Sequence, residues 1–295
     1  MNIILEYIEI IYDRKKKLNH PIINYKMIKN AKTLFMDNKK QDIKLEDDQT
    51  YDLKKLNTSD IDILYNIDIS TTTTCLIYFP GVAEEFDAVY KIASFSGSFI
   101  ICRDRHNNWY KDKQIQFKEI IDEMINTYKL EKIILLGQSM GGYMSLYMSA
   151  YYDNSICIAI SPQTFNNRRS NILYHSAINE KHPPEHIIDI KKHLTKNISN
   201  SKKYIFISES ECDDHYKKEI GQIYHSYWDD HLFAEYLINI ENVYILVFPK
   251  HTHTLFGHIN FSESLGIKLV NDFDKLYNDP STNSKDLLNN LLFKG

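Results

Sequence analysis

Glycine is scarce in this 295-residue chain, nine in all, as are proline (seven), cysteine (four) and tryptophan (two). So little glycine excludes collagen-like and low-complexity architectures, and it marks any glycine cluster as backbone with no room for a Cβ. Cys75, Cys102, Cys157 and Cys212 stand far apart in apolar runs without a CxxC spacing. That excludes a zinc ribbon or a disulfide framework and points to buried thiols in a reducing compartment. An excess of one charge is also missing: 35 basic against 39 acidic residues leave a net charge of −4. There is thus no general electrostatic reason to bind nucleic acid or an anionic bilayer. No stretch approaches the roughly 20 apolar residues that cross a membrane. At the start of the chain Glu6 and Glu9 interrupt an apolar run and Arg14-Lys15-Lys16-Lys17 follows it. A secretory signal has the reverse order, so a cytoplasmic location is expected.

What is present reads as a folded domain. An apolar content of 43% with 25% charged residues is ordinary for a soluble globular chain, and an α/β fold holds this length around one main core. Six apolar runs, at 75–79, 99–102, 133–136, 156–160, 204–207 and 243–248, are continuous rather than alternating, as strands buried on both faces are. Segments of helical period separate them, at 85–94, 115–128, 142–152, 217–238 and 258–277. The expected fold is therefore α/β, a mostly parallel central sheet flanked by helices. Alternating apolar positions over 61–69 suit an antiparallel edge strand. Residues 1–70 are expected to form an N-terminal extension with edge strands packed on the core, 71–280 the core itself, and 281–295 a tail. Within the core, the strandless stretch from about 163 to 201, with Pro183-Pro184 and several histidines, is expected to be a lid-like insertion.

Three of the nine glycines cluster at Gly137, Gly141 and Gly142. Gly137-Gln138-Ser139-Met140-Gly141 follows a strand and opens a helix, the context of the G-x-S-x-G nucleophile elbow. A strand turning sharply into a helix strains the serine and leaves room only for small flanking residues, so the hydroxyl is held out above the sheet. The alternative is a glycine-rich turn without chemistry. A nucleophilic serine needs a base and an acid, in the chain order Ser, acid, His for this arrangement. Asp213-Asp214 follows the run at 204–207, and His251-Thr252-His253 follows the run at 243–248. Loop geometry prefers His253, five residues past Phe248, over His251. A zinc site from His251, His253 and Asp213 or Asp214 is the competing reading, but it leaves the elbow unexplained. His175, His182, His186, His193, His215, His225 and His231 read as solvated or structural. An acyl intermediate needs two backbone donors for its oxyanion, for which Met140 N–H and Val82 N–H, the latter in the turn after Pro80-Gly81, are the candidates. No HGGG run is present.

With elbow, acid and histidine in this order, residues 75–277 resemble the α/β-hydrolase superfamily. A narrower similarity, to α/β-hydrolase-like proteins of bacterial surface-glycan clusters including capsule polysaccharide O-acetyltransferases, is carried by three features. These are Gly-x-Ser-x-Gly-Gly at 137–142, Ser161-Pro162-Gln163, and Asp213-Asp214 followed by Tyr216. Gln138 and Met140 depart from the small and basic residues of the transferases. The resemblance implies Asp214 as triad acid and His253 as base. It also implies an acyl-enzyme on Ser139, with an acyl ester or acyl-CoA as donor and a carbohydrate as acceptor or substrate. No bound cofactor is expected, acetyl-CoA serving as acyl donor if the protein is a transferase. A small-molecule carboxylesterase and a catalytically silent binding protein of the same fold are the alternatives.

Overall fold

The computed structural model describes residues 54–57, 60–70, 72–81, 92, 98–165, 187–209, 230, 233–249 and 270–278. The strands are β1 (Lys54–Asn57), β2 (Ile61–Asn66), β3 (Thr74–Phe79), β4 (Ser98–Asp104), β5 (Lys132–Gln138), β6 (Ser155–Ile160), β7 (Lys202–Glu209) and β8 (Val243–Pro249). They form one eight-stranded sheet in the order β1-β2-β4-β3-β5-β6-β7-β8. From β4 across to β8 every pairing is parallel, whereas β1 with β2 and β2 with β4 are antiparallel. Each of the six continuous apolar runs is a parallel strand, and the alternating 61–69 segment contributes the antiparallel β2. Its strand character ends at Asn66, after which Asp68 turns the chain by accepting from the Ser70 amide at 2.9 Å.

Successive strand residues point to opposite faces, and two apolar cores result. One holds Cys75, Ile77, Phe79, Ile100, Leu135, Cys157 and Ile205. Helices α1 (Gln114–Tyr128), α2 (Met140–Ser149) and α3 (Ile190–Lys196) pack there through residues such as Phe117, Ile121, Met144, Leu146 and Leu194. The other holds Leu76, Tyr78, Ile101, Ile134, Leu136, Ile158 and Phe206, covered by Phe273 and Leu276 of α4 (Phe273–Asn278). Burial on both faces explains why these runs lack polar alternation.

Helix α2 is buried on all sides. Its two interior serines are accommodated by back-bonding, Ser145 Oγ to the Gly141 carbonyl at 3.0 Å and Ser149 Oγ to the Leu146 carbonyl at 2.7 Å. α3 joins it from the expected lid segment. Asp189 caps α3 by accepting from Lys192 N–H at 3.0 Å, and the His193 ring stacks on Tyr147 with centroids 4.1 Å apart. Burial lowers the His193 pKa, in keeping with a structural histidine. Among the described residues, no helix is long and apolar enough to cross a membrane, and Cys75, Cys102 and Cys157 are buried free thiols.

Because β3 is flanked by β4 on one side and β5 on the other, the chain reverses its direction of progress across the sheet there. Such a switch point, beyond the C-terminal ends of β3 and β5, is where open parallel sheets bind ligands.

Candidate active site

Ser139 sits at that switch point, between the last residue of β5 and the first of α2. Its backbone is at φ 54°, ψ −119°, a region that costs an L-residue of order 1–3 kcal/mol and persists only where the surroundings enforce it. They do so here. Ser139 N–H donates to the Ile160 carbonyl of β6 at 2.8 Å, and the Ser139 carbonyl accepts the first helical bond from Tyr143 N–H at 3.0 Å. The flanking glycines let α2 start hard against β3. A Cβ on Gly141 would lie 1.8 Å from the Phe79 carbonyl oxygen, and one on Gly137 would lie 2.4 Å from the Gly141 backbone. Both contacts are with backbone that cannot swing away. This is why the helix begins at Met140, two residues before the position expected from the glycine pair.

Met140 is the first helical residue, so its N–H has no intrahelical acceptor and stands at the positive end of the helix. That is the expected oxyanion position. The neighbouring Phe79-Pro80-Gly81 turn is tied down by Tyr110, whose hydroxyl lies 2.9 Å from the Pro80 carbonyl and 3.3 Å from that of Cys102. Val82, the second expected donor, lies outside the described residues, as do Asp213, Asp214, His251 and His253. The strands that carry the last four are described. β7 and β8 end in register at Glu209 and Pro249, on the same sheet edge as Ser139. The zinc reading rests on those four residues as well. Among the described residues, no group of three or more His, Cys, Asp or Glu is arranged to hold a metal.

Two residues that sequence reasoning does not assign to the site stand beside the nucleophile. Gln163, buried after β6, places Nε2 3.2 Å from Ser139 Oγ, and its Oε1 lies 3.1 Å from Trp109 Nε1. Trp109 is fully buried and donates its backbone N–H to Met140 Sδ at 3.2 Å. The loop that delivers it is knotted on the buried Asp104. One carboxylate oxygen accepts from His106 N–H at 3.1 Å and Lys113 Nζ at 2.5 Å, the other from Asn108 N–H at 2.7 Å and Tyr110 N–H at 3.0 Å. Burial pushes the Tyr110 hydroxyl pKa well up, and the Asp104 carboxylate adds to the shift, so this tether stays neutral. With four donors on it, Asp104 is a structural carboxylate. The one legible sequence signal is Ser161-Pro162-Gln163, which carries part of the family resemblance but by itself gives Gln163 no role at the site.

Antiparallel edge strands, a parallel body in the order 4-3-5-6-7-8, and the strained serine after β5 together decide the architecture. The fold is α/β-hydrolase-like. Solved structures similar to it include MPT51 of Mycobacterium tuberculosis, at 12% identity and TM-score 0.49 over 76% of this chain and 98% of that one. An esterase of Pyrococcus furiosus matches at 12% and 0.48, over 76% and 92%. The capsule O-acetyltransferase of Neisseria meningitidis serogroup A matches at 13% and 0.44, over 72% and 93%. No protein-family model and no curated protein matches the chain.

Proposed function

We propose that the protein is a serine-nucleophile acyl-ester enzyme that forms an acyl-enzyme on Ser139 and acts on a bacterial surface glycan, as an O-acetyltransferase or an esterase. The observation that carries the reading is the elbow: a serine held at φ 54° at the switch point of the sheet, with a helix N-terminus directly behind it. Strain of this kind marks sites where a side chain must be presented rather than packed. The glycan part rests on the sequence resemblance at 137–142, 161–163 and 213–216.

In this reading His253 takes the proton from Ser139 Oγ as the oxygen attacks the ester carbonyl, and Asp214 orients the imidazole and stabilises its charged form. The carbonyl π pair moves onto oxygen, held by Met140 and Val82 N–H. Collapse re-forms the carbonyl and breaks the bond to the leaving group, which takes the proton from the imidazolium. Water or a sugar hydroxyl then repeats the sequence on the acyl-enzyme, with an acyl ester or acetyl-CoA as first donor. Reach supports His253 over His251. Three strand spacings, about 14 Å, separate β8 from β5, and four residues beyond Pro249 span up to about 13 Å before the side chain is added, against about 7 Å for two.

Labelling by a fluorophosphonate, with p-nitrophenyl acetate turnover, tests this. Ser139→Ala is expected to lose both, with turnover falling by at least about 10³-fold, and to melt as the parent does. Asp214→Asn and His253→Ala should follow it, while Asp213→Asn and His251→Ala cost far less. Wild-type turnover by Ser139→Ala, or activity lost to EDTA and restored by zinc, would overturn the assignment. Acetyl groups gained by an unmodified polysaccharide, followed by NMR, identify a transferase; acetyl groups only lost identify an esterase.

A further inference from the structure

The contact between Gln163 and Ser139 has a direction that chemistry fixes. An indole N–H can only donate, so the Gln163 oxygen must face Trp109 Nε1, 3.1 Å away. The amide NH2 therefore faces Ser139 Oγ at 3.2 Å, whichever way the two amide ends would otherwise be assigned. An NH2 group offers no lone pair to a hydroxyl hydrogen. Ser139 Oγ must accept here, and its own hydrogen is turned toward a different partner.

We infer that Gln163 is a further catalytic residue, which sets the hydrogen-bond polarity of the nucleophile, with Trp109 as the positioning residue that prevents its amide from flipping. The inference rests on the acyl-enzyme reading above. A serine hydroxyl is a free rotor with one donor and two acceptor sites. By occupying one lone pair, Gln163 leaves the hydrogen for the base and the other lone pair for the carbonyl carbon. As the Oγ–C bond forms, the proton passes to the imidazole and the π pair to the carbonyl oxygen. Collapse re-forms the carbonyl, breaks the bond to the leaving group and passes the imidazolium proton to it. Oγ is now an ester oxygen and a poor acceptor. The Gln163 N–H is then released beside the acyl carbon, within reach of the oxygen of the next acceptor, whether water or a sugar hydroxyl, and Gln163 itself neither gains nor loses a proton.

The surroundings show that this relay is built. Trp109 and Tyr110 adopt φ 50° and 56°, a left-handed conformation unfavourable for bulky aromatics. The Asp104 carboxylate holds it by accepting from the amides of Asn108 and Tyr110, on either side of the tryptophan. Trp109 in turn is pinned to Met140, the residue that supplies an oxyanion donor, through its N–H on Met140 Sδ. A tryptophan needed only to fill the core would not require a loop held in this way.

The test is the second-order rate of fluorophosphonate labelling, measured from pH 5.5 to 8.5, for the full-length wild type, Gln163→Met, Gln163→Glu and Trp109→Phe. Gln163→Met keeps the length and removes the donor. It is expected to label about tenfold more slowly, the scale of one hydrogen bond lost at a reacting atom. In Gln163→Glu the ionised carboxylate can only accept, so it draws the serine's hydrogen away from the base. It should be slower than Gln163→Met at pH 8, with the deficit closing on acidification as the protonated acid regains an O–H donor. Trp109→Phe should fall between wild type and Gln163→Met. A purely structural glutamine would lower both Gln163 variants by one factor at every pH. A wild-type rate for Gln163→Met, or a pH-independent ratio of Gln163→Glu to Gln163→Met, overturns the inference alone, because wild-type labelling still stands. Should Gln163→Met fail to fold, the ratio of Gln163→Glu to wild type across pH decides in the same way. A wild type that does not label at all overturns the acyl-enzyme reading and this inference together.

Discussion

The two ends of the parallel sheet are built by opposite rules. Beyond the C-terminal ends of β4, β5 and β6 the backbone is repeatedly forced into the left half of conformational space, at Asn107, Trp109, Tyr110, Asp112, Ser139 and Ser161. None of these is a glycine, and the aromatics and serines gain nothing local from being there. Ser161 adds a buried hydroxyl without a hydrogen-bond partner. At the N-terminal ends the polar groups are satisfied at short range. Ser155 Oγ lies 2.6 Å from the Tyr152 carbonyl and 2.7 Å from Ser201 Oγ, Ser199 Oγ donates to the Ser149 carbonyl at 2.6 Å, and Lys203 Nζ donates to the Ser201 carbonyl at 2.8 Å. Among the described non-glycine residues, positive φ there is confined to Lys129, closing α1, and Asn242, entering β8. One end accumulates strain and the other relieves it, which is the division expected when one edge of a sheet is used for chemistry and the other for stability.

The glycines at the elbow give the largest expected effect. Gly141→Ala places a Cβ 1.8 Å from the Phe79 carbonyl oxygen, so strand and helix must separate; a destabilisation above about 4 kcal/mol is expected, with loss of labelling. At Gly142 the nearest atom would be the Ile160 carbonyl oxygen at 3.0 Å, and at Gly81 the Gln138 carbonyl oxygen at 3.4 Å. Alanine should cost progressively less at these two positions. Denaturant melts of the three variants in that order check the ranking; equal costs would mean that elbow packing is not what holds the serine.

The knot under Trp109 comes next. Asp104→Asn keeps the shape but leaves Lys113, itself largely buried, without its anion and gives one oxygen in place of two to the loop amides. A loss of about 3 kcal/mol is expected, the scale for breaking one side of a buried pair. The strained residues should then relax, so labelling slows as in Trp109→Phe. A variant that loses stability yet labels at the wild-type rate would separate the loop from the site.

These same features were the least legible in the sequence. The parallel strands could be read because burial on both faces leaves unbroken apolar runs such as Ile133 to Leu136. The elbow was legible because its glycines have a steric cause local in the chain. β1, of sequence Lys-Lys-Leu-Asn, carries no such pattern and was missed. Trp109 and Tyr110 reach their backbone region without glycine, forced by a carboxylate up to six residues away. Gln163 meets Ser139 across 24 residues of chain, where no periodicity reports. Contacts that depend on strand order rather than on spacing appear only once the sheet is assembled.

The opposite end yields the smallest and most conditional effect. Burial holds Lys203 at a pKa of about 8, below the roughly 10.4 of an unfolded lysine. Between those values the unfolded chain binds the extra proton, so the Lys203 contribution to stability rises with pH from about 8 upward; below 8 its cost is fully present. The buried thiols act the other way. Burial raises the pKa of Cys75, Cys102 and Cys157, so the unfolded chain loses thiol protons first and stability falls above the ordinary thiol range. The net slope of the wild type therefore says little, and the difference between wild type and Lys203→Met isolates the lysine. From pH 8 to 9.5 the unfolding free energy of the wild type is expected to gain on that of Lys203→Met by on the order of 1 kcal/mol. Tyrosines that begin to ionise near the top of that range do so in both proteins, so their contribution cancels in the difference. A flat difference in urea melts would mean that Lys203 is as well solvated as a surface lysine.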